Sequence, residues 1–309
     1  MYDDQQRHSG GVAGLHRSTR RHLLGASAVA MLLGRGSAAP AAKAPAAIDV
    51  REAVLCSWIF DLEQGAPPPF GFTLVDIHRD EAAGHLSALL RTRMPDGEEE
   101  DRLVNRGTRV EQGSIGRLLS ALREDMGANL AVLLGRREVA MAEAALRAVA
   151  SVARRPGGRR LRLLGQSLGG GLAQLQAAWC HVHRPDRPLA RFATFAASDI
   201  ASLAERRVGA QLSTLPPELG DNWVSPRDLL TGPYAPLGAP RLGTTHIVRD
   251  MRGPPLAWPG LAYHRAGAWV NHGAGRRVDD DPPAHPASAA DWQRLARAGC
   301  SLPEGWPGG

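Results

Sequence analysis

Residues 161–173 read LRLLGQSLGGGLA, and no other stretch constrains the architecture as strongly. An apolar run, Leu161, Leu163 and Leu164, ends in Gly165-Gln166-Ser167-Leu168-Gly169. A helical spacing of Leu168, Leu172, Leu175 and Trp179 begins at once. A G-x-S-x-G between a short buried strand and a helix marks a serine held on a sharp turn with its hydroxyl exposed. The two glycines let strand and helix approach closely around it. The helix N-terminus beneath adds partial positive charge and free N–H groups where an oxyanion would form. An inert serine in a glycine-rich turn is the alternative reading.

A chain of 309 residues, 43% hydrophobic, is long enough to bury one large core. Its net charge of +6 is unevenly placed. Before Ala47 stand Arg7, Arg17, Arg20, Arg21, Arg35 and Lys43 against Asp3 and Asp4, so most of the excess is N-terminal. The rest is near neutral, without the basic stripe and interleaved aromatics that nucleic-acid binding requires. No Cys/His spacing suggests a metal site, and no cofactor is implied.

The first 46 residues read as an address. Ser18-Thr19-Arg20-Arg21-His22-Leu23-Leu24 is a twin-arginine pattern, followed by the apolar segment LLGASAVAMLLG and then by SAAPAAKAPAA, with A-x-A-like cleavage points between Ala39 and Ala47. The apolar run is short for a membrane span. The expectation is a bacterial protein carried by the twin-arginine translocase into the periplasm or beyond. There Cys56, Cys180 and Cys300 would meet oxidising conditions and permit one disulfide, whose pairing the sequence leaves open.

Residues 47–309 read as one domain. Residues 70–78 and 85–91 form a hairpin around the polar turn RDEAAG, followed by an acidic loop, MPDGEEED. Helical periodicity runs from Gly135 to Arg155, with Val139, Ala142, Leu146 and Val149 on one face, and stops at Pro156-Gly157-Gly158. After the nucleophile strand and helix, 189–195 is a further buried strand. Beyond Leu212 the chain is rich in Pro and Gly, apart from a strand-like GTTHIV and a final helix near Asp291 to Ala298. The apolar stretch Pro254 to Trp269 could cover a lipid site or pack as a surface loop.

The segment LLGQSLGGGLA resembles the nucleophile segment of class 3, fungal-type lipases, which reads GHSLGGALA or GHSLGGGLA; Gln166 stands where that family usually has His. Arg191 to Ala197 (RFATFAA) is similar to the next strand of the family, and GHLSALLRTR followed by EDRLVNRG resembles its A-F-R-G-T strand and E-D-W-L-x-N segment. The resemblance implies an α/β-hydrolase fold, a mostly parallel sheet with helices on both faces.

A serine nucleophile needs a base, and the base needs an acid to fix its tautomer. In this fold the chain order is Ser, acid, His. Asp199, Asp221, Asp228 and Asp250 follow Ser167. Asp228, in NWVSPRDLLTG, resembles the triad acid of the family's N-x-x-D-P-V segment; an N-cap or an ion pair with a nearby Arg is its alternative. Among the histidines, His246 lies in the strand-like TTHIV and His264 in AYHRAGAW suits packing beside aromatics. His285 and His272 lie on loop-like stretches. His285 is the expected base, because the resemblance puts the catalytic His just before the last helix, and His272 is the alternative. Two N–H groups should hold the oxyanion. Leu168 supplies one, and alignment with A-F-R-G-T gives the other to Thr92 in preference to Thr108.

These residues describe a serine ester hydrolase of the lipase or esterase kind, acting through an acyl-enzyme on carboxylic, lipid-like esters in transient contact with a lipid surface. The same triad could serve an acyltransferase or phospholipase, and a catalytically silent scaffold that binds a partner is the competitor from another class.

Overall fold

The strand–turn–helix around Ser167 sits in the middle of a seven-stranded sheet whose spatial order follows the chain. The computed structural model describes residues 48–94, 96–107, 129–186, 188–198, 201–211, 214–228, 242–253, 263–273 and 277. Strands β1 (Thr73–Asp80), β2 (His85–Arg93) and β3 (Glu99–Asn105) pair antiparallel. From β3 onward the pairing is parallel, through β4 (Arg160–Gln166), β5 (Leu189–Phe195), β6 (Gly220–Val224) and β7 (Thr244–Ile247).

Helices cover both faces, and the alternation of side chains along each strand shows which residues serve which face. Leu90, Val104, Leu164, Ala193 and Phe195 pack with α1 (Val50–Trp58) and α5 (Ala266–Gly273). Leu89, Leu103, Leu163 and Phe192 pack with α2 (Asn129–Ala153), α3 (Leu168–His183) and α4 (Ala201–Val208). This mostly parallel sheet, clad on both sides and carrying a strained serine at a strand–helix turn, has the α/β-hydrolase fold. Each fully buried Leu or Phe contributes on the order of 2 kcal/mol, so the two cores fix which face every strand presents. Among the described residues no helix is long and apolar enough to cross a membrane.

The expected hairpin, the helix before the glycines, and strands β5 and β7 are where the sequence put them. Two elements depart from expectation. The acidic stretch MPDGEEED is a turn only as far as Glu98, where Met94 N–H donates to the Glu98 carbonyl; Glu99 already opens β3. Strand β3 buries Glu100, Asp101 and Arg102 by pairing them. Arg102 lies 2.9 Å from Glu100 and 5.1 Å over the Phe72 ring, and Arg91 lies 3.0 Å from Asp101. Paired charges tolerate burial that single charges do not. Helix α5 arises in the stretch read as aperiodic. Of the apolar stretch Pro254 to Trp269, residues 254–262 lie outside the described residues, while Tyr263 and Trp269 are core residues rather than a cover. The final helix near Asp291 also lies outside the described residues. Cys56 and Cys180 are buried in the cores on opposite faces of the sheet, so they do not pair with each other; Cys300 lies outside the described residues.

Candidate active site

Strand β4 ends at Gln166, and the next residue takes a conformation that side-chain-bearing residues rarely adopt: Ser167 has φ 56° and ψ −128°. Hydrogen bonds hold it there from several sides. Ser167 N–H donates to the Phe195 carbonyl (3.0 Å), while its own carbonyl accepts from Gly171 (3.1 Å) and Ser198 (3.2 Å). A side chain at Gly165 would fall on the backbone of Gly169, and one at Gly169 would meet the backbone of Asn105 to Gly107. The motif's glycines are therefore needed for close approach of strand β4, helix α3 and the end of β3.

The imidazole that reaches the serine is that of His264. Its Nε2 lies 2.8 Å from Ser167 Oγ, and its Nδ1 lies 2.9 Å from Asp228 Oδ2. A carboxylate can only accept, so Nδ1 carries the proton and donates to Asp228. Nε2 is thereby left with its lone pair toward the serine hydroxyl, which donates to it. Asp228 is buried and is presented by a turn after β6, in which its N–H donates to the Ser225 carbonyl (3.1 Å). A second contact joins the same two loops. Arg227 donates to Tyr263 Oη (2.9 Å) and to the Met251 carbonyl (3.3 Å). Behind His264, Tyr263, Ala268, Trp269 and Val270 belong to the core shared with α1, and the Trp269 ring lies 5.6 Å from that of Phe195.

Among the other sequence candidates, His285 lies outside the described residues, and so do Asp199 and Thr108. His272 sits on α5 with its Nε2 3.8 Å from Asp250 Oδ1, and burial lowers its pKa. His246 is a sheet residue, stacked on Trp223 at 4.3 Å and 2.9 Å from Asp221. The expectation that His285, or failing it His272, faces the serine is corrected to His264. The aromatic neighbours that made His264 look like a packing residue are what fix it: Tyr263 and Trp269 anchor the short turn that carries the ring.

Thr92 is also corrected. It pairs with Glu100 near the start of β3, whereas Asn105 at the end of β3 pairs with Gly165, two residues before the nucleophile. Five residues of strand separate the two ends, about 16 Å, so Thr92 is at the wrong end of the sheet for an oxyanion hole. The strand that leads past Ser167 is β3, and the literal Arg106-Gly107-Thr108 follows it. A Cβ at Gly107 would lie 3.4 Å from Ser167 Cβ and 2.7 Å from the Gln166 carbonyl. Leu168, as expected, opens α3, where first-turn N–H groups lack partners within the helix.

Among the described residues no group of three His, Cys, Asp or Glu side chains is arranged to hold a metal ion. The arrangement offers instead a hydroxyl, a correctly tautomerised base and a buried acid in hydrogen-bonded series, beside a helix N-terminus. No protein-family model and no curated protein matches the sequence. Solved structures similar to the chain include a triacylglycerol lipase from Penicillium expansum, with TM-score 0.40 and 15% identity over 85% of this chain and 100% of that one. The Rhizomucor miehei triacylglyceride lipase has TM-score 0.43 and 15% identity over 65% and 78% of the two chains. Lipase II from Rhizopus niveus has TM-score 0.39 and 14% identity over 65% and 79%.

Proposed function

We propose that the protein is a serine hydrolase of carboxylic esters, with lipid-like acyl groups as its substrate class. The observation that carries this reading is the series Ser167 Oγ, His264, Asp228, joined at 2.8 and 2.9 Å on a strained strand–helix turn. Ser167 attacks the ester carbonyl while His264 Nε2 takes its proton. The imidazolium so formed is stabilised through Nδ1–H by Asp228. The alkoxide develops beside the Leu168 N–H at the start of α3. As the intermediate collapses, His264 returns the proton to the leaving alcohol, and Ser167 remains acylated. A water molecule, deprotonated by the same imidazole, then releases the acid and restores the hydroxyl. The N-terminal 46 residues are proposed to send the protein through the twin-arginine translocase to the periplasm or outside.

A fluorophosphonate probe tests the chemistry directly, because it reacts with a serine only when a neighbouring base activates it. The expected result is one adduct, on Ser167 by peptide mass, and no turnover of short acyl esters by Ser167→Ala. An unlabelled folded protein, or an active Ser167→Ala, would overturn the proposal and favour a silent scaffold.

A further inference from the structure

The residue before the nucleophile has a contact that the triad itself does not require. The Gln166 side-chain amide, buried at the end of β4, donates from Nε2 to the backbone carbonyl of His264. On its other side the amide borders Gly107, where an added Cβ would lie 3.5 Å from Gln166 Oε1. Resting on the assignment of His264 as base, we infer that Gln166 is a positioning residue. It fixes the imidazole to the strand that also fixes the hydroxyl.

The argument is geometric. His264 precedes α5 on a short turn, and that turn is held from three directions. Helix α5 continues it, with Ala268 N–H donating to the Arg265 carbonyl at 3.0 Å. Arg227, adjacent to Asp228, holds Tyr263. Gln166, adjacent to Ser167, holds His264 itself. Acid, base and nucleophile are thus tied together by backbone neighbours as well as by their own side chains. The first two anchors fix the turn relative to the core and the acid loop. The third ties the backbone of His264 to the last residue of β4, the neighbour of the serine whose Oγ its Nε2 meets. A buried amide N–H is well suited to this, since the carbonyl it satisfies would otherwise lack that partner beside the site. A misplacement of about 1 Å at a reacting atom costs roughly 100-fold in rate, so one such bond can matter without touching substrate.

The test compares Gln166→Met, which keeps length and volume but has no donor, with Gln166→His, which restores an N–H at similar reach. Each is assayed on a short-chain nitrophenyl ester for kcat and KM, with the melting temperature measured alongside, beside His264→Ala. The expectation for Gln166→Met is a fall in kcat of about 10- to 100-fold with KM changed less than about threefold. Gln166→His should recover most of the loss. A purely structural role would lower the melting temperature and leave kcat of the folded protein at the wild-type value, which would overturn the inference. Wild-type kcat and KM in Gln166→Met, with His264→Ala inactive, would overturn the inference and leave the hydrolase reading intact. Full turnover in His264→Ala would overturn the base assignment beneath it.

Discussion

Ser167 carries a backbone cost that its surroundings hold in place. Left-handed or otherwise sparsely populated conformations cost about 1–3 kcal/mol for a residue with a side chain. Three backbone hydrogen bonds and the close approach at Gly165 and Gly169 leave Ser167 no relaxed alternative. Ser167→Gly should therefore lose all turnover yet raise unfolding stability by about 1 kcal/mol, the relieved strain less the greater freedom of glycine in the unfolded chain. Urea melts of the two proteins decide it, and a clear loss of stability would contradict the strain argument. At the neighbouring imidazoles, His264→Ala should lower acylation by roughly 10³-fold or more, while His272→Ala, on a helix against Asp250, should leave it near wild type. Single-turnover rates with an activated ester separate the two. Ser167 was legible because its motif is local, a strand, a turn and a helix within thirteen residues. His264 was not, since its role depends on Tyr263 and Trp269 entering the core beneath it, a long-range fact that sequence spacing does not carry.

At the scale of elements, the misplacement of Thr92 and the missed start of β3 have one cause. The charged run Glu98 to Asp101 reads as part of a loop, yet the sheet buries Glu100 beside Arg102 of its own strand and Asp101 beside Arg91 of β2. The likeness of β2 to the A-F-R-G-T strand then carried the oxyanion assignment to Thr92, although β3 is the strand paired with the nucleophile strand. The same hairpin holds a pH-sensitive group. His85, at the start of β2 and facing α2 across a cavity of about 280 Å³, is buried, and burial lowers its pKa from 6.5 to about 4 despite a hydrogen bond with Asn105 that works the other way. Burial also lowers the pKa of His78, diagonally opposite on β1. A histidine depressed in the folded state binds its proton first in the unfolded chain. The stability it contributes is thus complete above pH 6.5 and drains away as pH falls toward 4. For His85 alone that loss between pH 7.5 and pH 4 is on the order of 3 kcal/mol. Urea midpoints should fall steeply over this range, and His85→Gln should flatten the slope. An equal slope in the variant would show that the acid sensitivity lies elsewhere.

For the whole molecule, charge and cysteine usage bear on where it works. The positive excess is concentrated before Ala47, where the export signal is proposed, while the body is close to neutral. The order of strands, equal to the order in the chain, means that each parallel pair from β3 to β7 closes over an intervening stretch of chain. Such non-local pairing is slow to form and exposes apolar edges meanwhile. A route that carries the protein already folded suits that burden. It also suits the thiols, because Cys56 and Cys180 are buried on opposite faces of the sheet, and burial pushes the Cys56 pKa well up, away from the reactive thiolate. Arg20 and Arg21 are the residues such a route would read, and its receptor distinguishes a guanidinium from an ammonium. Replacing both with lysine keeps the charge and the apolar segment, so it leaves a general secretion signal intact while removing the twin-arginine one. The expected outcome is a full-length precursor held in the cytoplasm, with esterase activity in that fraction because the domain folds before export. Normal export of the Arg20→Lys, Arg21→Lys variant would exclude the twin-arginine route, and a precursor retained but inactive would show that folding waits for the far side of the membrane.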